Sequence, residues 1–478
     1  MCNFCFKIVP LWLLILLNVF CTGCTNEQQS KETKFVKSAE NHLHNDPASG
    51  KVSSSGVVDQ SFVLLTANNL TNQDQNAETH TPLDTIVFSS QGRGVAYIEK
   101  TSDKQRVVHN GKPGNDYSNI SHLAISPDGQ RVSYTYMLGD KLQQISDRVG
   151  GRLYNRVFTA FYSQDNRHIA CLAESVDTKA QILLDGKTIE ESPSAVSANV
   201  YFANDSSKLL YHIHPIEKGS HARLVIFDIK SGKKIYKECL DNEVVINNDK
   251  TMVAITVMDG EKQRVMVLNI SDADSVSLSA SYDKIENFST HIEGTSVAFT
   301  GVKAGIRFLV LNGKEERIPD NLTVIDTPVI RPDQKGLGVI MATTERYNRR
   351  FTFHQAMYKN TAQKKQYDQI KELVYSRNSI PVFVAMQGEK YCIVMNGIEG
   401  PFFDKVVSPV FSPDGSKLVY RARNGEKRFV VVTDVESKQI RRHPEYEMAF
   451  ATEFTADGKS VAYGVKEGNQ LMWKVEKL

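Results

Sequence analysis

The chain has 478 residues, of which 41% are hydrophobic and 23% are charged. These values are ordinary for a globular protein with a sizeable core. Lysine and arginine total 57 against 55 for aspartate and glutamate, so the formal net charge is only +2. This balance lacks the basic excess of a nucleic-acid-binding surface, and we therefore expect no nucleic-acid partner.

The first two dozen residues have the pattern of an export signal. Lys7 precedes the apolar run 8–20, which is too short to span a bilayer and fits a secretory signal. Small residues follow in the stretch Cys21-Thr22-Gly23-Cys24. This ending resembles the bacterial lipobox, with cysteine at position 21 where leucine is usual.

The lipobox resemblance implies cleavage before Cys24 and acylation of its thiol and its new amino group. Thr25 follows the cysteine, where aspartate would retain a Gram-negative lipoprotein in the inner membrane. The resemblance therefore implies a lipid-anchored protein of the bacterial cell envelope at the outer membrane, facing the periplasm or the surface. An ordinary signal peptide with incidental cysteines is the alternative.

Residues 24–60 are polar and rich in serine, lysine and asparagine, with almost no apolar periodicity. Such a composition cannot bury enough apolar surface to offset chain entropy, so it predicts a disordered tether. The tether would span roughly 30 Å, by the square-root scaling of flexible chains. The predicted organisation is a signal peptide over 1–23, the tether over 24–60 and a folded body over 61–478.

Cysteine and histidine patterns in the body indicate neither a disulfide framework nor a metal site. Only Cys171, Cys239 and Cys392 occur there, far apart and without a C-x-x-C pair. His212 and His214 would share one face of a strand, for which a polar, solvent-facing side is the favoured interpretation over a metal site lacking its third ligand. We expect no metal and no cofactor.

From residue 85 onward one short phrase recurs, and its clearest copies read ISPDGQRVSY from 125, FSPDGSKLVY from 411 and FTADGKSVAY from 454. The aspartate-equivalent positions lie roughly forty residues apart, the size of one four-stranded propeller blade. These ten positions are 91, 128, 165, 205, 249, 293, 333, 378, 414 and 457.

The chemistry of the phrase predicts a tight turn between two strands. Proline presets φ, aspartate bonds to local backbone, and glycine adopts the left-handed conformation that closes a bulged hairpin. The predicted structural turn residues are Ser126, Pro127, Asp128, Gly129, Ser412, Pro413, Asp414, Gly415, Asp457 and Gly458.

A second turn recurs later in many units, where apolar runs lead into Asn-Gly or Asp-Gly, the strongest short hairpin signal. Examples are Asn110-Gly111, Asp185-Gly186, Asn312-Gly313 and Asn396-Gly397. Each unit therefore reads as a four-stranded antiparallel meander. The final unit ends after a third strand, and residues 61–65 could donate the fourth and so remove an open sheet edge.

The phrase resembles the WD-like repeat of TolB-type β-propellers over residues 85–478. The resemblance implies an all-β propeller that binds a protein or peptide on its face or in its channel, and it transfers no catalytic residue. Ten units exceed the usual four to eight. One continuous ring is the favoured interpretation; two smaller propellers, or a ring with one misassigned unit, are the alternatives.

No catalytic motif is recognisable, because G-x-S-x-G, H-E-x-x-H, Walker and Rossmann patterns are all missing from the sequence. The first hypothesis is therefore a lipid-anchored module that binds or scaffolds an envelope protein or peptide, with the membrane touched only through the N-terminal lipid. The second is a glycan or peptide hydrolase or lyase with its site in the central channel. A purely structural envelope component is the third.

Overall fold

The fold is that of a β-propeller, whose sheets are antiparallel and four-stranded in most blades. The computed structural model describes residues 60–66, 86–89, 95–101, 103–146, 149–192, 196–214, 222–240, 244–247, 250–291, 294–343, 349–357, 365–454, 458–468 and 470–478. These residues form strands and turns, and they include no helix long and apolar enough to cross a membrane. The predicted signal peptide and residues 24–59 of the predicted tether lie outside the described residues, whereas Gln60, assigned to the tether, begins a strand.

The strands divide into ten blades, whose strands are named A to D from the inner to the outer edge. Blade 1 has β2 (Ile86–Phe88), β3 (Val95–Thr101), β4 (Lys104–His109) and the start of β5 (Lys112–Ile125). Blade 2 has the end of β5, β6 (Val132–Leu138), β7 (Lys141–Ser146) and β8 (Val149–Tyr154). Blade 3 has β9 (Arg156–Val157), β10 (Phe161–Tyr162), β11 (Ile169–Glu174), β12 (Ala180–Leu184) and β13 (Lys187–Ser192).

The next four blades follow in chain order. Blade 4 has β14 (Val196–Phe202), β15 (Lys208–Ile213), β16 (Ala222–Asp228) and β17 (Lys234–Cys239). Blade 5 has β18 (Val244–Ile246), β19 (Met252–Asp259), β20 (Lys262–Asn269) and β21 (Val276–Leu278). Blade 6 has β22 (Lys284–Thr290), β23 (Val297–Lys303), β24 (Ile306–Leu311) and β25 (Lys314–Arg317). Blade 7 has β26 (Leu322–Val324), β27 (Val329–Ile330), β28 (Leu337–Thr343) and β29 (Phe351–Ala356).

The last three blades include the one that joins the two ends of the folded chain. Blade 8 has β30 (Gln369–Tyr375), β31 (Pro381–Gln387), β32 (Lys390–Met395) and β33 (Ile398–Glu399). Blade 9 has β34 (Lys405–Phe411), β35 (Lys417–Asn424), β36 (Lys427–Asp434) and β37 (Ile440–Arg442). Blade 10 has β38 (Met448–Phe454), β39 (Ser460–Glu467), β40 (Gln470–Lys477) and, as its outer strand, β1 (Gln60–Thr66).

The pairing of β1 with β40 confirms the predicted closure of the last blade by an N-terminal strand. The two strands run antiparallel, with Gln60 opposite Val475 and Thr66 opposite Gln470. The backbone groups of β40 are therefore bonded on both sides, which removes an open edge that invites aggregation.

Apolar clusters lie between the blades. The described residues form nine such clusters, and each one joins two consecutive blades from blade 1 to blade 10. Between blades 8 and 9, for example, Val384 and Ile393 pack with Leu418, Tyr420 and Val431. Because every consecutive pair of blades shares a core, the described array of blades is continuous along the chain.

The C-to-D turns of blades 1, 3, 6 and 8 are the type I′ hairpins that Asn-Gly and Asp-Gly favour. Both central residues have positive φ, at 49° and 75° for Asn110 and Gly111, and at 50° and 75° for Asp185 and Gly186. The Nδ2 group of Asn110 donates to the carbonyl of Gly129 at 2.9 Å, so the C-to-D turn of blade 1 contacts the A-to-B turn of blade 2. We call the surface carrying both turn types the SPDG face, and the opposite surface, with B-to-C turns and interblade linkers, the linker face.

An aromatic-acid pair precedes four inner strands on the linker face, a pattern that the sequence analysis missed. The aromatic residue of each pair is buried. In three of the four copies, the acid accepts a hydrogen bond from a backbone N–H group in a B-to-C turn. The donors are Ala304 N to Asp283 at 2.6 Å, Gly388 N to Asp368 at 2.7 Å and Gly425 N to Asp404 at 2.6 Å. The four pairs are Tyr282-Asp283, Tyr367-Asp368, Phe403-Asp404 and Tyr446-Glu447.

Gly301 is required by the packing of Tyr282. A Cβ atom at Gly301 would lie 2.4 Å from the fully buried Tyr282 ring. We expect Gly301→Ala to lower the unfolding free energy by about 2 kcal/mol, the usual cost of overpacking a rigid core. Thermal unfolding followed by circular dichroism measures this effect. Gly400→Ala is the control, because its nearest neighbour, the Ile393 carbonyl oxygen, lies 3.4 Å away; equal melting temperatures for the two variants would contradict the prediction.

Candidate functional site

The SPDG-type residues lie at turns between strands A and B. In blade 2, Ser126 Oγ donates to Asp128 Oδ1 at 2.6 Å, and Gly129 N donates to Ser126 O at 2.9 Å. In blade 9 the corresponding distances are 2.6 Å for Ser412 Oγ to Asp414 Oδ1 and 2.8 Å for Gly415 N to Ser412 O. Pro127 is buried and Pro413 is exposed. Cys24 and Asp457 lie outside the described residues.

The residue after eight of the ten anchor positions adopts the left-handed conformation, even where glycine is replaced. Gly129, Gly415 and Gly458 have φ of 74°, 75° and 68°. The same positive φ occurs in the weaker copies, at Asn166, Ser206, Lys250, Gln334 and Ser379. Because side chains other than glycine rarely adopt this conformation, the recurring geometry is imposed by the turn and its neighbours.

Successive SPDG turns also bond to each other. Asp128 N donates to Asn166 Oδ1 at 3.0 Å, and Arg131 Nη1 donates to the Asn166 carbonyl at 2.9 Å. Asp165 N in turn donates to Ser206 Oγ at 3.2 Å. These contacts hold neighbouring blades together on the SPDG face, which gives the turn residues a structural role.

The cysteines and the paired histidines do not build a metal centre within the described part of the chain. Cys171, Cys239 and Cys392 are buried free thiols. His212 is also buried, with Nε2 3.1 Å from Cys239 Sγ and its ring 4.4 Å from that of His214. No group of three or more metal-ligating side chains occurs among the described residues.

In six blades the inner strand is interrupted at the same level. The interruption lies four residues before the serine-equivalent position, which is the position of Ser126 in blade 2 and of Ser412 in blade 9. In blades 2, 6, 8 and 9 the interruption is a β-bulge, with positive φ at His122, Asn287, Glu372 and Ser408. In blades 3 and 7 the inner strand is split in two, and Thr159 and Thr327 lie in the gaps.

These six residues, His122, Thr159, Asn287, Thr327, Glu372 and Ser408, form what we call the bulge ring. All six are half-buried and all carry hydrogen-bonding side chains. A bulge re-aims a side chain and leaves a backbone group outside the ladder, and bulges concentrate at functional sites. The bulge ring is therefore the candidate functional site.

The bulge ring is tied to its surroundings across blades 8, 9 and 10. Ser408 N donates to Glu372 Oε2 at 2.5 Å, and Arg421 Nη2 donates to Ser408 Oγ at 2.7 Å. Arg421 Nη1 reaches the Ala449 carbonyl of blade 10 at 3.3 Å. Glu372 Oε1 also lies 3.6 Å from the Lys371 ammonium. This network fixes the positions of the two ring members Glu372 and Ser408.

In blade 2 the ring member His122 is held by hydroxyl groups. Its Nδ1 lies 3.1 Å from both Ser121 Oγ and Thr135 Oγ1. Burial lowers the pKa of His122, and the Arg156 guanidinium lowers it further. The imidazole is therefore neutral at neutral pH and offers one donor and one acceptor.

The bulge ring is suited to binding by hydrogen bonds more than to acid–base catalysis. Its two titratable members, His122 and Glu372, belong to blades 2 and 8, and five blades lie between them along the chain. General acid–base catalysis needs its groups within hydrogen-bond reach of one substrate. The remaining four members are neutral hydroxyl or amide groups.

Sequence reasoning did not find the bulge ring, although a signal was present. The position four before the serine-equivalent is polar in all six blades named above, while the flanking positions include apolar residues such as Leu123, Phe158 and Phe288. Alignment of these six units on their anchor positions shows that column. The bulge itself depends on register against the next strand, which the phrase does not encode.

Comparisons with known proteins identify fold similarity only. The sequence matches no protein-family model and no curated protein sequence. Similar solved structures include a eukaryotic initiation factor (11% identity, TM-score 0.43, covering 73% of this chain and 96% of that one). Another is oligogalacturonate lyase from Vibrio parahaemolyticus (11% identity, TM-score 0.30, covering 75% of this chain and 96% of that one). A third is TolB from Acinetobacter baumannii (12% identity, TM-score 0.23, covering 80% of this chain and 78% of that one). At these TM-scores they carry no argument about activity, and the propeller assignment rests on the sheets of this chain.

The turn of blade 9 predicts a pH-dependent contribution to stability. Hydrogen bonds from Ser412, and then from Ser416, lower the pKa of Asp414 to about 2. A carboxyl with a lowered pKa stabilises the fold above its ordinary value near 3.9 and loses that contribution as the pH falls through about 2.

We therefore expect Asp414→Ala to cost about 1 kcal/mol at pH 7, a modest value because the carboxylate is solvent-exposed. The difference from wild type should narrow between pH 4 and pH 2, as measured by urea unfolding at several pH values. Asp140→Ala, whose side chain is 86% exposed, is the control. A difference that stays constant with pH would contradict the role of the ionised carboxylate.

Proposed function

We propose that this protein is a lipid-anchored propeller of the bacterial cell envelope that binds a protein or peptide partner at the bulge ring. The observation that carries the proposal is the ring itself: six half-buried polar side chains at one level of the inner strands, on a frame fixed by interblade cores. Loops and irregular positions on a rigid scaffold are common binding elements.

An extended peptide has the chemistry that such a ring would recognise. Its backbone offers one donor and one acceptor per residue, and exposed strand groups can pair with it. The hydroxyl, amide and imidazole groups of the ring supply both donors and acceptors. Five of the six ring members carry hydroxyl, amide or imidazole groups, which suit the polar backbone of a peptide.

The course of β1 supports an orientation for the anchored protein. Gln60 lies opposite Val475, near the SPDG-face end of β40, and Thr66 lies opposite Gln470, near the linker face. The proposed tether, residues 24–60, would therefore leave the body at the SPDG face. The linker face would then point away from the membrane, toward a partner.

Site-specific photocrosslinking tests the binding proposal. A benzoylphenylalanine residue is placed at Thr159 or Thr327 in the bulge ring, or at Tyr236 on an outer strand, where the side chain is 45% exposed. We expect the two ring positions to crosslink the same envelope protein or peptide, identified by mass spectrometry, and Tyr236 to give no such product. Repeated failure of both ring positions, or equal labelling from Tyr236, would refute binding at the ring.

The lipid anchor is tested separately. A palmitate analogue should label the wild-type protein but not Cys24→Ala, because the lipobox resemblance assigns acylation to that cysteine. Processing of the precursor should also slow in the variant, which a mobility shift on gels detects. A palmitate label that persists in Cys24→Ala would contradict the lipoprotein proposal and would not affect the binding proposal.

A further inference from the structure

A group of buried polar side chains joins blades 9 and 10 inside their shared core. His443 follows β37 of blade 9, whereas Tyr463 and Glu476 belong to β39 and β40 of blade 10. Tyr463 and Glu476 have no exposed surface, and His443 is only 3% exposed. A carboxylate is seldom buried so completely unless it is paired. We call these three residues, with Arg441, the junction network.

The junction network is a continuous series of polar contacts. The Tyr463 hydroxyl donates to Glu476 Oε1 at 2.8 Å, and His443 Nδ1 is in close contact with Glu476 Oε2. On the other side of the imidazole, Arg441 Nη2 lies 3.4 Å from His443 Nε2 and donates to the Lys477 carbonyl at 2.5 Å. All of these contacts are satisfied when Nδ1 carries the imidazole proton, Nε2 accepts from the guanidinium and the carboxylate is ionised.

The junction network has no place for a further proton. The Arg441 guanidinium can only donate, so a proton on His443 Nε2 would bring two cations together. A proton on Glu476 would instead place a donor opposite His443 Nδ1 or opposite the Tyr463 hydroxyl. Either event leaves a buried polar group without its partner, which lowers the stability of the folded junction.

Two further titratable groups lie behind Tyr463. The Tyr446 ring centroid is 6.2 Å from that of Tyr463, and the Lys474 ammonium lies 5.5 Å from the Tyr446 centroid. Lys474 is paired with Glu467 at 2.6 Å. The guanidinium is therefore the cation that contacts the imidazole directly, and the more distant ammonium is offset by its own carboxylate.

The surroundings of His443 keep its imidazole neutral. Burial, and then the Arg441 guanidinium, lower the pKa of His443 to about 3. In the unfolded chain a histidine titrates near its ordinary value of about 6.5, so opening of the junction takes up a proton between these two values. The stabilising contribution of the neutral imidazole is therefore complete above about pH 6.5 and decreases as the pH falls towards 3.

The junction network lies beside the strand pair that joins the two ends of the folded chain. Glu476 follows Val475, which lies opposite Gln60 at the start of β1. Lys477, whose carbonyl accepts from Arg441, is the last residue of β40. Blade 9 therefore holds the end of β40 at the position where β1 enters the sheet.

We infer that the junction network is an acid-sensitive latch between blades 9 and 10. At neutral pH it holds β40, and with it β1, against blade 9. Below about pH 6, proton uptake favours an open junction in which β40 and β1 separate from blade 9 while the other blades stay folded. The latch would make the closing blade the one part of the fold that responds to mild acid.

Hydrogen–deuterium exchange of the full chain in detergent tests the latch. Amide protection is measured at pH 7.0, 6.0 and 5.0 and is corrected for the intrinsic exchange rate at each pH. The segments compared are β40 and, as an internal reference, β19 of blade 5. The variants are His443→Gln, which keeps a hydrogen-bonding side chain that does not titrate, and the control His354→Gln. His354 is a half-buried histidine of blade 7 whose pKa is also lowered by burial.

We expect the protection of β40 in wild type to fall by up to about tenfold between pH 6.0 and 5.0, because opening takes up one proton. The protection of β19 should change by less than about twofold, since local opening leaves other units closed. His443→Gln should abolish the pH-dependent loss in β40, and His354→Gln should retain it.

Protection of β40 that stays level from pH 7.0 to 5.0 in wild type would overturn the inference. An equal loss in β19 would also overturn it, because the whole fold would then be opening. If His443→Gln does not fold, the comparison of the two wild-type segments still decides. A folded His443→Gln variant that loses protection with pH as wild type does would reject the imidazole as the sensor.

Discussion

The sharing of apolar cores between neighbouring blades is the constraint on which the rest of the structure depends. Blade sheets are apolar on both faces, as the central strands Leu337–Thr343 and Pro381–Gln387 show with their nearly continuous burial. A sheet of that kind cannot stand alone in water, because each face must be covered by another sheet. Nine interblade clusters meet that requirement along the chain, and β1 completes the outer edge of the last blade.

The turns on the two faces of the array are stabilised by different interactions. On the SPDG face, turns are closed by serine, aspartate and left-handed residues, and several turns bond to the next blade, as Asp128 does with Asn166. On the linker face, buried aromatic residues anchor the entry to the inner strands, and their acidic neighbours cap B-to-C turns, as Asp404 does for Gly425. On both faces these polar groups form hydrogen bonds that stabilise the fold. The groups available to bind a partner therefore lie on the inner strands and on the linker-face residues beside them.

The inner strands combine rigidity with irregularity, which is the combination that a binding site needs. Their ends are fixed by the turns and linkers, while their middles are interrupted at one level by bulges or gaps. Glu372 and Ser408 illustrate the result, because the backbone of one blade bonds to the side chain of its neighbour. The ammonium groups of the adjoining Lys371 and of Lys405 lie over the ring of Tyr391.

The sequence by itself determined the all-β class, the ten-unit period, the two turn types and the strand that completes blade 10. These features follow from local chemistry, since Pro, Asp and Gly restrict their own φ and ψ wherever they occur. Only the tertiary structure decided the bulge ring. It depends on strand register and on contacts between residues of different blades, such as Ser408 N with Glu372 Oε2, and a local turn phrase carries no information about such distant neighbours.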